Sequence, residues 1–539
     1  MRGSWRAVMV KDRLLTPSGN ALVGAALVGV TTLAVHLAFK LDCDDAYIYL
    51  RIARNWASGL GPVFNAGEHV EAFASPTWLA LLAIGIRVGI TPTTLAPALA
   101  ILAAAFAGAG TAVLARHLAG PRAGLVAPIV LAMQIPFAVW SAVPREHGLT
   151  AGAIAWAAFA ALRTKRGSHG ALAGLAAAFA ALVRPEALLL VPFLGLVALL
   201  DVRRPDRARV ALAFAAGALV PLAVVFLWRY SYFGSLLPNT YVSRVQGLPL
   251  GQRVRTGMVY LARLAVFEGV LVACNAWALW KGSTGARAVA LLAFVFLGGV
   301  ILTTGGDWFV YARMAIPAVP LLCVVAAVAI ERAHGIAFHV LVAALVLQVG
   351  VCARSKHSSG VVLLREFVDN TRVVGESFAR LPPGLLAMEP IGIVGYVQPD
   401  RRILDLAGLA DAHIARSPRL PGALPGFDHG DVEYVLSLAP AVVVPFSWPR
   451  DHVITDDEER AYLTENHESW AIGEQLVLDA RFRRMYEPYD FVLDSGRHLR
   501  IWRRRDFVIV SSPTTRSGTA YASLPSARGA ASSGGGTFR

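Results

Sequence analysis

Two adjacent carboxylates, Asp44 and Asp45, stand just after the first long apolar run, which ends near Lys40. Ionised carboxylates are costly in hydrocarbon, so an acidic pair at a membrane boundary is either a helix cap or a working site. As a working pair, one carboxylate takes a proton from an attacking hydroxyl while the other positions it or a cation. As a cap, aspartate ahead of the helical pattern at 46–56 satisfies free backbone N–H groups. The segment continues through Tyr47, Arg51, Arg54, Gly61-Pro62-Val63-Phe64-Asn65, Gly67-Glu68 and Glu71, and is polar and turn-rich. Arg51 and Arg54 fall one turn apart on the helix, facing either an anionic group or Glu68 and Glu71.

Further along, four short motifs interrupt apolar sequence: Arg145-Glu146-His147, Arg184-Pro185-Glu186, Leu237-Pro238-Asn239-Thr240 followed by Arg244, and Gly305-Gly306-Asp307-Trp308 followed by Arg313. Glu146 is a second acid candidate, or a charge in a solvated loop. Arg184-Pro185-Glu186 reads as a helix break with a local ion pair, since the residue before proline avoids the helical region. Arg54, Arg184, Arg244 and Arg313 are the cations available to a phosphate. Tyr47, Glu68, Glu71, Asn239, Asp307 and Trp308 remain as polar or aromatic groups for a substrate.

The elements that must position these residues are membrane helices. The chain has 539 residues, of which 56% are hydrophobic and 16% charged, against about 25% charged in a soluble domain. Its mean hydropathy is +0.55. Apolar runs at 21–39, 94–115, 124–142, 149–162, 170–183, 187–200, 210–230, 258–280, 288–304, 314–330 and 336–353 give about eleven spans. The first is as long as a full span and lacks a small-residue cleavage site, so it reads as a retained helix with Arg2, Arg6, Lys11 and Arg13 on the cytoplasmic side. Residues 76–90 are short, contain Arg87, and read as an interfacial or re-entrant helix.

With that count, the basic loops alternate. Arg116 and Arg122, then Arg163, Lys165 and Arg166, then 203–209, then Lys281 and Arg287, then Arg332 all fall on one side, the cytoplasm by the positive-inside rule. Every motif described above falls on the other side. The net charge of +14 is spread over those short loops, which argues against a nucleic-acid partner. Cys43, Cys274, Cys323 and Cys352 show no metal spacing and no disulfide framework. After Cys352 the composition turns mixed. Strand-like runs at 392–397, 402–406 and 441–446 follow a helical pattern at 361–381. The expected architecture is an α-helical polytopic membrane domain at 1–353, with a first outer loop at 41–93. A small extracytoplasmic α/β domain follows at 354–510, then a disordered tail at 511–539 rich in Ser, Gly, Ala and Thr.

Chemistry on the outer face meets a supply problem, because nucleotide sugars do not cross the membrane, whereas a sugar on a polyprenyl phosphate is presented at the surface. Transfer from such a donor needs a carboxylate base, cations for the departing phosphate, and a hollow that excludes water. These residues resemble the GT-C superfamily of polyprenyl-phosphate-sugar-dependent glycosyltransferases. Within it they are most similar to mycobacterial arabinofuranosyltransferases that add terminal β-linked arabinose, and to their bacterial relatives. The resemblance runs over about 40–315 and rests on Asp44-Asp45, Arg54-Asn55, Gly61-Pro62-Val63-Phe64-Asn65, Gly67-Glu68, Val70-Glu71, Glu146, Arg184-Pro185-Glu186, Leu237-Pro238-Asn239-Thr240, Gly305-Gly306-Asp307 and Arg313. It implies a membrane bundle in a bacterial inner membrane, an outward cavity, inversion at the anomeric carbon, and an Asp44-Asp45 base with Glu146 beside it. A glycan, lipid or protein is the implied acceptor. Metal dependence varies across the superfamily; a divalent cation is compatible with it and none is assigned. Two departures stand out: Pro144-Arg145-Glu146-His147 replaces the usual small-Gly-Leu-Glu, and Asp405-Leu406-Ala407-Gly408-Leu409 with Asp411-Ala412-His413 resembles the wider bacterial group. The alternative is a flippase or transporter of a lipid-linked sugar. Its usual internal repeat and midplane charges are not visible here.

Overall fold

The computed structural model describes residues 15–509 and divides into two compact units, Met1–Asp369 and Asn370–Arg539. The basic N-terminal residues Arg2, Arg6, Lys11 and Arg13, and the stretch read as a tail from Ser511, lie outside the described residues.

The first unit is helical. Among the described residues, seven helices are long and apolar enough to cross a membrane: Pro17–Phe39, Pro92–Ala119, Arg204–Phe233, Leu250–Lys281, Thr284–Thr304, Val310–Arg332 and Ile336–Arg354. The chain is therefore a multi-pass membrane protein. Ala123–Met133 and Ile135–Ala142, bent by 72° at Gln134, are together long and apolar enough for an eighth, as a broken span or a re-entrant pair. Pro136 opens the second half, and proline supplies no N–H to continue the helical ladder. Each expected span is helical, but those near 149–162, 170–183 and 187–200 are the shorter apolar helices His147–Leu162, Gly167–Val183 and Pro185–Ala198. Pro76–Arg87 has 12 residues, about 18 Å of helix, well short of a ~30 Å hydrocarbon layer.

In lipid, helices associate by close packing rather than by escape from water, so small residues mark the crossings. A Cβ on Gly24 would lie 2.5 Å from the Gly108 carbonyl oxygen, and one on Gly108 would lie 2.2 Å from that of Gly24. Only glycine at both positions lets Pro17–Phe39 and Pro92–Ala119 touch backbone to backbone.

The second unit holds a five-stranded sheet with order β2-β1-β3-β5-β4. Its strands are β1 (Leu386–Met388), β2 (Ile403–Asp405), β3 (Val442–Val444), β4 (Tyr486–Val492) and β5 (His498–Arg504). β1 is parallel to both β2 and β3, whereas β5 runs antiparallel to β3 and pairs with β4 as a hairpin. The strand expected at 392–397 is instead the helix Gly392–Val397. That run, Gly-Ile-Val-Gly-Tyr-Val, is almost entirely buried, and a short apolar run buried on all sides carries no periodicity that separates strand from helix.

Candidate active site

The helix Asp44–Ala57 begins on the acidic pair itself. Its N-cap residue is Cys43, whose side chain makes no capping bond, while Asp42 accepts from the Cys43 N–H at 2.9 Å and from the Tyr47 hydroxyl at 2.6 Å. Asp44 and Asp45 therefore sit in the first helical turn, where the helix dipole favours negative charge.

Asp45 is the hub. Its Oδ2 lies 2.5 Å from Arg145 Nη1, 3.1 Å from Arg313 Nη1 and 3.9 Å from Arg244 Nη2. Burial pushes the Asp45 carboxyl up, but Arg145, Arg244 and Arg313 together outweigh it and hold it well below the usual carboxylate range. Each arginine arrives from a different element: Arg145 from the turn before His147–Leu162, Arg244 from the short helix Asn239–Val245, Arg313 from the 3-10 segment Val310–Ala318.

The network continues past Asp45. Arg145 pairs with Glu146 at 3.0 Å, Glu146 with Arg184 at 2.8 Å, and Arg184 with Glu186 at 2.6 Å. On the other side Arg313 Nε donates to Asp307 Oδ2 at 2.8 Å. Among the described ion pairs, four guanidiniums and four carboxylates thus form one connected chain whose charges balance. Buried charges are tolerable when each is paired in this way.

Arg313 is aimed by its backbone. Tyr311 and Ala312, directly before it, have φ of 57° and 51°, a left-handed conformation that costs non-glycine residues about 1–3 kcal/mol each. The Tyr311 N–H donates to His357 Nδ1 at 2.9 Å and its hydroxyl to the Cys352 carbonyl at 3.2 Å. The guanidinium then lies over Phe309 at 3.8 Å and Trp140 at 5.3 Å, and cation–π contact adds to its hold. Trp308 stacks on Phe309 at 4.1 Å and is 43% exposed.

The other expected residues divide into two groups. Asp45, Glu146, Arg184, Arg244, Asp307 and Arg313 are brought together, with Trp308 adjoining them. Tyr47, Glu68, Glu71 and Asn239 serve the first loop and its neighbours. Glu68 accepts from Asn65 Nδ2 at 2.9 Å, Glu71 pairs with Arg229 at 2.7 Å, and the Asn239 N–H donates to the Glu71 carbonyl at 3.1 Å. Arg51 is committed to the loop itself, donating to the Phe64 carbonyl at 2.8 Å and to Asn65 at 3.3 Å. Arg54 is on the same helix as Asp45 but nine residues on, roughly 13 Å along the axis. Arg184, expected at a phosphate, is already bracketed by two carboxylates.

Two arginines in these ion pairs were not among the expected phosphate ligands. Arg145 stood inside a quoted motif. Arg229 follows the apolar run 219–228, and an arginine so placed signals a buried partner, here Glu71. Among the described residues no group of three or more His, Cys, Asp or Glu is arranged to hold a metal ion.

A helical membrane unit with a charged network among its elements, together with a small α/β unit, is a fold found in solved membrane proteins. The crystal structure of ArnT from Cupriavidus metallidurans bound to undecaprenyl phosphate matches it with a TM-score of 0.58 and 13% identity, over 91% of this chain and 99% of that one. The apo structure of the same protein gives 0.52 and 14% identity, over 88% and 97%. Among curated proteins, the terminal beta-(1->2)-arabinofuranosyltransferase of Mycobacterium tuberculosis is 33% identical over 236 residues, covering 41% of this chain and 37% of the relative. Its namesake from Corynebacterium glutamicum is 29% identical over 346 residues, covering 54% and 48%. The chain thus spans less than half the length of these curated relatives. Residues 367–501 match a family described as a domain of unknown function (DUF8728). The resemblance to GT-C arabinofuranosyltransferases read from the sequence is borne out by these relatives and by the fold.

Proposed function

We propose that this protein is an inverting glycosyltransferase that moves a sugar from a polyprenyl phosphate to an acceptor outside the cytoplasm. The observation that carries the reading is the Asp45 carboxylate lodged among Arg145, Arg244 and Arg313. This is an arrangement in which a base and the cations for a leaving phosphate share one small volume. The fold likeness to a protein crystallised with undecaprenyl phosphate supports a lipid phosphate as the carrier. The curated relatives' names make arabinofuranose the first sugar to test.

In this reaction the acceptor hydroxyl gives its proton to the carboxylate as its oxygen bonds to the anomeric carbon from the face opposite the phosphate. The bond from that carbon to the phosphate oxygen breaks, and its electron pair leaves on polyprenyl phosphate. A single displacement of this kind inverts the anomeric centre. The arginines stabilise the charge gathering on the departing phosphate. Glu146 and Arg184, buried and mutually paired, hold Arg145 in place, and Asp307 does the same for Arg313. Asp44 is the remaining carboxylate for the acceptor side, with Trp308 as an exposed face for a sugar ring. Glu71 with Arg229 fixes the first outer loop. The N-terminus and the basic loops face the cytoplasm, in a bacterial inner membrane, and the second unit is extracytoplasmic.

Purified protein in liposomes, given radiolabelled polyprenyl-phosphate arabinofuranose and a glycan acceptor, should release polyprenyl phosphate. Asp45→Asn should lower turnover by at least about a hundredfold, the scale of a lost general base. Full turnover by both Asp44→Asn and Asp45→Asn would remove the base from this reading.

A further inference from the structure

A carboxylate gripped by three guanidiniums is a poor proton acceptor, because those charges favour its ionised form. All three grip the same oxygen, Oδ2. The grips are unequal. Arg145 and Arg313 have second carboxylates, Glu146 and Asp307, and their side chains are only 7% and 2% exposed. Arg244 sits at 3.9 Å from Asp45, outside hydrogen-bond range, on a helix of 7 residues, with its side chain 36% exposed. Because the network is charge-neutral, an arriving phosphodiester adds an uncompensated negative charge unless something is displaced. The guanidinium fork matches phosphate oxygens better than one carboxylate oxygen shared three ways.

We propose that Asp45 occupies the seat of the donor phosphate in the unloaded protein, and that the arriving phosphate takes Arg244 and shares Arg313, releasing Asp45 to act as the base. The inference rests on the glycosyl-transfer reading above. The groups facing Asp45 are Arg145, Arg244 and Arg313 from three separate elements, with Asp42, Cys43 and Asp44 from its own segment and Asp307 reached through Arg313. Loss of the Arg244 grip lets the Asp45 side chain turn from the phosphate toward the acceptor hydroxyl on the opposite face, and the added negative charge nearby raises its affinity for that proton. Base strength is thereby tied to donor occupancy, which keeps an empty site from activating water.

Exchange has an unusual signature: removing the charge of Asp45 should improve phosphate binding. Undecaprenyl phosphate binding to the full-length protein in detergent micelles, read by tryptophan fluorescence and native mass spectrometry, should be roughly tenfold tighter in Asp45→Asn. It should be at least about tenfold weaker in Arg244→Gln. Asp45→Ala provides a second removal of the charge, and unliganded melting temperatures identify any variant that fails to fold. In wild-type turnover the acid limb of kcat should lie at higher pH than that of kcat/KM, since the first reports the loaded protein and the second the free one. A wild type that binds the lipid no more weakly than both Asp45 variants overturns the exchange, as do coincident acid limbs or an unchanged Arg244→Gln. Failure of wild type and all variants to bind overturns the donor reading beneath it instead.

Discussion

At the residue scale, the site's carboxylates differ in burial: the Glu146 side chain is fully enclosed, whereas Asp44 is half-buried. Asp45 gathers three arginines, and the charge chain beyond it makes Glu146 a partner of arginines more than a group presented to a substrate. Glu146 has no exposed side-chain surface and pairs with both Arg145 and Arg184. Burial pushes its carboxyl up, but the two arginines outweigh this and hold it well below the ordinary range. Removing one member of a buried pair leaves an uncompensated charge, at a cost of about 3–5 kcal/mol. Glu146→Gln should therefore lower the melting temperature of the detergent-solubilised protein clearly, whereas Asp44→Asn, on a half-buried residue, should change it little. An unshifted Glu146→Gln with lost turnover would make Glu146 a participant in the chemistry rather than a support.

At the element scale, the second unit carries two buried acids at the carboxyl ends of adjacent parallel strands, Glu389 just past β1 and Asp405 at the end of β2. Burial raises Asp405 to about 6, partly offset by the N–H groups of Ala410 and Ala407. Burial and then Asp405 raise Glu389 well above the carboxylate range. Both are raised in the folded state, so their contribution is full below the unfolded values near 4 and is lost as pH climbs through 6 and beyond. Glu389→Gln should thus match wild type at pH 5 and resist proteolysis within 386–444 better than wild type at pH 8, with both proteins compared at each pH. Equal cleavage rates at pH 8 would refute the cost of ionising Glu389 in its buried place. What was legible in sequence follows a physical divide. Apolar runs announce spans because hydrocarbon demands about 20 such residues, and β2 and β3 fall within the strand-like runs at 402–406 and 441–446. The 392–397 segment was misread and the β4–β5 hairpin was unforeseen. In the site, the acidic pair and the later arginines were visible as charges out of place. Their pairing was not, since Arg145 and Arg313 reach Asp45 across 100 and 268 residues of chain.

At the scale of the whole membrane unit, the charge network constrains topology by parity. Asp45, Arg145, Arg184, Arg244 and Arg313 meet in one place, so the chain crosses the membrane an even number of times between any two of them. Between Asp45 and Arg145 lie Pro92–Ala119 and the bent pair ending at Ala142; a third crossing by Pro76–Arg87 would separate the partners. Between Arg145 and Arg184, His147–Leu162 and Gly167–Val183 must both cross or both stay. Between Arg184 and Arg244, Arg204–Phe233 is long enough to cross and requires Pro185–Ala198 to cross with it, although that helix is short. The basic loops then share a side, the one that the proposed orientation puts in the cytoplasm. Reporter fusions should place a tag near Gly167 in the cytoplasm and one near Gly247 outside it. Both tags on one side would mean that the short pair His147–Leu162 and Gly167–Val183 only dips into the membrane. The Arg163-Thr164-Lys165-Arg166 cluster would then stand on the same face as the site, adding positive charge where the neutral network now leaves none spare.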